Sequence, residues 1–131
     1  VIDTNVIISA ILFRNSLPAT TINLAKKLGT IILSEAIFAE IQNTLSRDKF
    51  NRYLSFDNRR KLLNKLLLDS ELITITEEIC VCRDEKDNKF LELAVSGKAN
   101  LIITGGNDLL VLNPFRNIEI ITVNGFLNRF S

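Results

Sequence analysis

Short, unbroken apolar runs alternate along this chain with segments whose apolar residues recur every three or four positions. Val1-Ile2, Thr30 to Leu33, Leu72 to Thr76, Leu101 to Ile103 and Ile118 to Val123 have the length and side-chain type of strands. Between them lie helical stretches. Thr4 to Leu12 is the first, and Leu17 to Leu28 the second, with Ala19, Ile22, Ala25 and Leu28 on one face. A third is capped by Ser34 and carries Ile37, Ile41 and Leu45; Asp57 to Leu68, Asp87 to Ser96 and a turn from Asp108 to Leu112 follow. Pro18 suits a first helical turn, and Gly29 and Gly97 read as stop signals. A strand that is apolar at every residue must be covered on both faces. Helices between successive strands supply that cover, which predicts an α/β fold with a central parallel sheet flanked by helices. With 131 residues, 47% of them hydrophobic, and no repeat or Pro/Gly/Ser linker, the sequence predicts one domain over residues 1–131.

The chain contains no histidine, tryptophan or methionine. That removes Ser-His-Asp and Cys-His nucleophile systems, the two-histidine zinc helix and any histidine acid–base pair. Catalysis here has to rest on carboxylates, lysines, hydroxyls or a bound ion. Cys80 and Cys82 are one residue apart, too close for an unstrained disulfide, and no second pair completes a zinc site. They read as small buried strand residues in a reducing compartment. No signal peptide or membrane-length apolar run is evident, so a cytoplasmic location is expected. The chain starts on Val1 at what reads as the end of a strand, and a few preceding residues are expected to be missing.

Net charge is only +1, so nucleic-acid binding would need a local patch. The balance conceals a segregation. Arg47 to Lys65 holds seven basic residues and two acids, whereas Asp69 to Glu92 holds eight acids and three bases. The basic stretch is either a solvated helix face or a surface that tracks phosphates through Arg47, Lys49, Arg52, Arg59 and Arg60.

Four acids fall where chemistry is possible. Asp3 follows the apolar pair Val1-Ile2 and so stands at the carboxyl end of a strand, the edge where open parallel sheets bind ligands. Leu101 to Ile103 runs into the polar turn Thr104-Gly105-Gly106-Asn107-Asp108 along the same edge. Asp87 starts a helix, a position that capping alone would explain. Glu40 lies beside the apolar stripe of its helix, where it either reaches solvent or needs a partner. Together these acids suggest an oxygen-ligand cluster suited to Mg²⁺ or Mn²⁺, hard cations that support phosphodiester hydrolysis without histidine.

Four blocks in order resemble the PIN-domain ribonucleases, in the branch of the toxin components of bacterial and archaeal toxin–antitoxin pairs. Val1-Ile2-Asp3-Thr4-Asn5-Val6 resembles the opening strand with its D-T-N motif. Ser34-Glu35-Ala36-Ile37-Phe38-Ala39-Glu40-Ile41 resembles the segment that carries the next acid. Arg83-Asp84-Glu85-Lys86-Asp87 resembles R-D-x-x-D, and Thr104-Gly105-Gly106-Asn107-Asp108-Leu109-Leu110 resembles T-G-D-x-D-L-L. The resemblance implies a three-layer PIN-like fold and an endoribonuclease dependent on Mg²⁺ or Mn²⁺. It implies Asp3, Glu40 and Asp87 as catalytic acids, with Asp3, Asp87 and Asp108 at the metal. Glu40 would hold a metal-bound water or a second ion, and Asn5 and Thr104 would support the acids by hydrogen bonds. It further implies an RNA substrate, an antitoxin protein as partner and a homodimer.

Gly106 departs from the pattern, standing where the family has Asp. The loss of that carboxylate supports a second reading, a catalytically weakened PIN fold that binds RNA or a partner protein. A third, an unrelated α/β phosphatase, is weakened by Asn5, since aspartyl-phosphate enzymes usually place a second acid at that position.

Overall fold

A computed structural model describes residues 1–131 of the protein. Ile2 forms a single parallel bridge to Ile103, and the chain then enters α1 (Thr4–Leu12) and α2 (Leu17–Leu28). β1 (Ile32–Leu33) leads to α3 (Glu35–Leu45), a short 3₁₀ turn at Asp48–Phe50, α4 (Phe56–Leu68) and β2 (Glu71–Leu72). After an extended connection, a second 3₁₀ turn at Glu85–Asp87 runs into α5 (Asn88–Ser96). β3 (Leu101–Ile103), α6 (Asn107–Leu110), β4 (Glu119–Ile121) and α7 (Val123–Phe130) complete the chain. No helix is long and apolar enough to cross a membrane.

All strand pairing between the named strands is parallel. β1 pairs with β2, setting Leu33 beside Leu72, and β3 pairs with β4 in the register Ile102 to Ile120. Ile2 flanks β3 on its other side, fixed by the Asp3 N–H donating to the Ile103 carbonyl at 2.9 Å. The expected central sheet is thus two short parallel ladders, each built from stubs of two or three residues. Two strand expectations shrink accordingly. Thr30 is exposed and outside the ladder, and the run Ile73 to Thr76 continues without strand pairing beyond Leu72. The cysteines differ as well: Cys80 is exposed, Cys82 is partly exposed, and neither lies in a strand.

The core is one cluster of 25 buried apolar residues drawn from both ladders and most helices. Ile7, Ile37, Ile41, Leu91, Leu93 and Ile102 are completely shielded. Each such side chain contributes roughly 1.5–3 kcal/mol by leaving water. The turns from strand to helix are made by side-chain caps. Asp3 accepts from the Asn5 N–H, Ser34 from Ile37 and Thr122 from Gly125, at 3.1, 3.2 and 3.0 Å. Each satisfies an orphan N–H that the helix start cannot bond internally, a contribution of typically ~1 kcal/mol. Polar residues are therefore collected at the carboxyl ends of the strands, and Asp3 comes to lie beside Thr104.

Candidate active site

At that edge, α1, α3, the Glu85–Asp87 turn and the loop after β3 enclose an open cleft of about 650 Å³. Asp3, Glu40, Asp84 and Asp87 line it, together with two cations, Arg47 and Lys86. Carboxylate oxygens of Asp84, Asp87 and Asp108 all lie within 4.8 Å of one another. Asp87 sits at the N-cap of α5 but makes no capping bond, so the structural role that its position suggests is not what occupies its carboxylate. Asp84 takes that kind of role one turn earlier, accepting from the Lys86 N–H at 3.0 Å.

The acids perturb each other. Partial burial, then the charges of Asp84, Asp3 and Asp108, hold the Asp87 carboxyl above its ordinary value, with Lys89 opposing. The same acids act on Cys82. Burial first, then Asp87, Asp108 and Asp84, push its thiol up to about 11, and its sulfur is not among the clustered donors. What remains is an all-oxygen donor set with an excess of negative charge, which fits a hard divalent cation and not zinc in a thiolate site.

Asp3 stands next to this group with both oxygens engaged. Oδ1 accepts from the Asn5 N–H, and Oδ2 accepts from the Thr104 hydroxyl at 2.5 Å. Thr104 is completely buried, and its Oγ1 accepts from the Gly106 N–H at 3.0 Å, so a short chain of bonds fixes the Asp3 carboxylate. Asn5 reaches Asp3 through its backbone, while its exposed side chain faces the cleft. Glu40 is held in a different way. Lys89 Nζ donates to Oε1 at 2.8 Å and the Thr4 hydroxyl to Oε2 at 2.5 Å. The inward-facing carboxylate thus has the partner that its position demands.

Two features depart from the sequence reading. Asp84 joins Asp87 and Asp108, a grouping that the spacing of Arg83-Asp84-x-x-Asp87 could have revealed, since one 3₁₀ turn places such residues on one side. Arg59 does not belong to an exposed phosphate-tracking face: it is only 1% exposed, on the buried side of α4, and donates to Asn51 Oδ1 at 2.8 Å. A basic residue at a core-facing position of its helix is drawn in with the helix. Arg47, Lys49, Arg52 and Arg60 remain exposed.

Comparison with known proteins places this arrangement. Uncharacterized protein MJ1680 of Methanocaldococcus jannaschii is 39% identical over 114 residues, spanning 86% of this chain and 73% of that protein. No solved structure matches the chain. The sequence pattern of the PIN domain matches residues 1–108, which contain every acid of the cleft, and the chain belongs to the PIN domain family.

Proposed function

We propose that this chain is a metal-dependent endoribonuclease that hydrolyses RNA phosphodiester bonds with Mg²⁺ or Mn²⁺, and that it acts in the cytoplasm as the toxin of a toxin–antitoxin pair. PIN domains are in general metal-dependent nucleases, and RNA is the substrate class on which they act. The observation that carries the proposal for this chain is the grouping of Asp84, Asp87 and Asp108 at the carboxyl ends of the strands.

In this reading Asp84, Asp87 and Asp108 hold the ion, with Asp3 beside them. When bound there, a divalent ion would supply positive charge toward the phosphodiester and would lower the pKa of an attacking water. The protein's own residues do the positioning. The Thr104 hydroxyl and the Asn5 N–H lock Asp3, so its carboxylate needs no reorganisation when substrate arrives. Arg47 and Lys86, the two cations lining the cleft, offset the repulsion between a phosphate and the acids. Glu40, itself on the cleft wall, is held by Lys89, which does not line the cleft, with the Thr4 hydroxyl on its other oxygen. An antitoxin protein and a second copy of the chain are the partners this role calls for.

The test is cleavage of RNA in Mn²⁺ by the parent, by Asp87→Asn and by the parent with chelator. Activity confined to the metal-loaded parent supports the proposal. Equal cleavage by the variant, or cleavage insensitive to chelator, overturns it. Growth arrest on induced expression, relieved by Asp87→Asn, tests the toxin role. One observation favours the second reading, a weakened fold that binds without cutting: Gly106 leaves the place beside Asp3 without a carboxylate. RNA binding without cleavage, with cleavage appearing only in Gly106→Asp, would establish it.

A further inference from the structure

The buried guanidinium of Arg59 presents a problem of charge. It donates to Asn51 Oδ1 at 2.8 Å and weakly to the Arg47 carbonyl at 3.5 Å, its Nε has no partner, and it makes no ion pair. A shielded charge with only neutral partners is costly, and a hydrophobic replacement is commonly neutral or stabilising. Arg59 also lines a pocket of about 290 Å³ between the C-terminal turn of α3 and the first turns of α4. Gln42, Ser46, Arg60 and Asn64 form its polar wall, Phe56 lies beside them, and no acid lines it. A positive charge in such a low-dielectric wall is poorly screened, and its potential extends into the pocket.

We propose that this pocket is a phosphate subsite that grips the RNA backbone at a position flanking the acidic cleft. Arg60 makes the contact, the polar groups complete it, and the fixed charge of Arg59 lies beneath. The identity of the polymer rests on the ribonuclease reading above. Placement supports it. Thr44 and Arg47 line the acidic cleft, whereas Gln42, Leu45 and Ser46 line this pocket, so only the end of α3 separates the two. A strand crossing that ridge meets the carboxylates on one side and cations on the other. From Arg52 to Arg60 charge and aromatic rings are interleaved: Arg52 stacks over Tyr53 at 4.8 Å and Arg60 over Phe56 at 6.0 Å, both rings nearly half exposed, with the Tyr53 ring also packed edge-on against Phe13. That pairing of cations with accessible rings suits single-stranded nucleic acid, whose phosphates and bases alternate. It is less suited to an acidic peptide.

The experiment measures binding of a labelled single-stranded RNA oligonucleotide in chelator, across a salt series, with polyglutamate as competitor. For Arg60→Ala the slope of log affinity against log salt should flatten by about 0.7, the value of one phosphate contact, with affinity about fivefold weaker at ~0.1 M salt. Asn64→Asp, which puts a carboxylate in the pocket, should also weaken binding. Arg59→Met should weaken binding while melting no lower than the parent, separating a binding role from a structural one. Parent-like affinity and slope in both Arg60→Ala and Asn64→Asp overturn the inference, as does a parent that binds polyglutamate in preference to RNA. Arg59→Met melting well below the parent would make Arg59 a structural brace and remove the buried charge from the proposal. Metal-dependent cleavage by the parent is scored separately. Its absence defeats the nuclease reading, while loss of RNA binding in the variants still supports the subsite.

Discussion

Replacing Gly106 tests whether a carboxylate at that position would enter the acidic group. The Gly106 backbone has φ −85° and ψ 126°, an extended conformation open to any residue, so nothing in the chain path requires glycine. A Cβ built there meets Thr104 Oγ1 at 3.5 Å and Asp3 Oδ2 at 3.9 Å, ordinary contact distances, and it lies beside Asp3. Two effects then separate cleanly. Gly106→Asn lowers the freedom of the unfolded chain and should stabilise by ~0.4–1 kcal/mol. Gly106→Asp gains the same but adds a negative charge near Asp3. At ~4 Å in water-like surroundings that costs about 1 kcal/mol. For a chain of 131 residues, an unfolding entropy of ~2.1 cal/mol/K per residue converts this to about 4 °C in Tm. In chelator at low salt, Gly106→Asp should therefore melt about 4 °C below Gly106→Asn. The gap should narrow in ~1 M salt and at low pH, and it should reverse with Mn²⁺. Scanning calorimetry of the three proteins reads all of this. If Gly106→Asn melts below the parent, the space argument is wrong. If the two variants melt together in chelator, the new carboxylate does not face Asp3 and the reasoning fails.

Three further substitutions probe the acidic group, the Glu40 ion pair and the core. Asp87 titrates above its ordinary value, so the folded state holds its proton more tightly than the unfolded chain, and charged Asp87 subtracts stability above that raised value. Metal-free Asp87→Asn should thus melt higher than the parent at neutral pH. The difference should fade as pH falls through the raised value toward roughly 3.9, the unfolded value, in a thermal-melt series across pH. Lys89→Ala strips a partly buried partner from Glu40 and should cost about 1 kcal/mol in a urea titration, with a double-mutant cycle against Glu40→Gln recovering the coupling. Gly97→Ala drives a methyl group into Ile32 Cδ1 and to 3.1 Å from the Leu93 carbonyl, so it should destabilise by ~1–3 kcal/mol in the same titration.

What the sequence disclosed was whatever local chemistry decides. The Ser34 cap, the apolar stripe Ile37, Ile41 and Leu45, and the placement of Asp3 at a strand end are all short-range, and they are found in the fold. Pairing is not local. Ile73-Thr74-Ile75-Thr76 alternates as a strand should, yet β2 stops at Leu72, because ladder partners come from β1, whose pairing ends at Leu33. The sequence does not announce α7, although Val123, Phe126, Leu127 and Phe130 have helical spacing, because the apolar run before them reads on as strand; Thr122 ends that run by capping the helix. Burial of Arg59 could not be read from a basic segment, since it depends on which side of α4 meets the core. The site was legible as a set of acids at one edge. Which of them meet is set by the 3₁₀ turn at Glu85–Asp87 and by the loop after β3, neither of which has a period to detect.

The segregation of charge along the chain has a structural consequence at the site. Glu40, whose helix stands against the one bearing Lys89, is tied into an ion pair at 2.8 Å. A carboxylate with a cation in reach is taken by it, and its charge is spent within the fold. Asp84, Asp87 and Asp108 form no ion pair. Asp84 and Asp87 come from a segment with eight acids against three bases, and one of those bases, Lys89, is already held by Glu40. The cluster is thus left without an ion-pair partner, and burial together with the neighbouring charges of Asp84, Asp3 and Asp108 holds the Asp87 carboxyl above its ordinary value, with only Lys89 opposing. Had the same 16 basic and 15 acidic residues been interspersed, the net charge would still be +1, but carboxylates and guanidinium groups would have paired with one another. Segregation leaves the acids free for an external cation and the basic ridge free for an external polyanion, and the end of α3 keeps the two within reach of one strand.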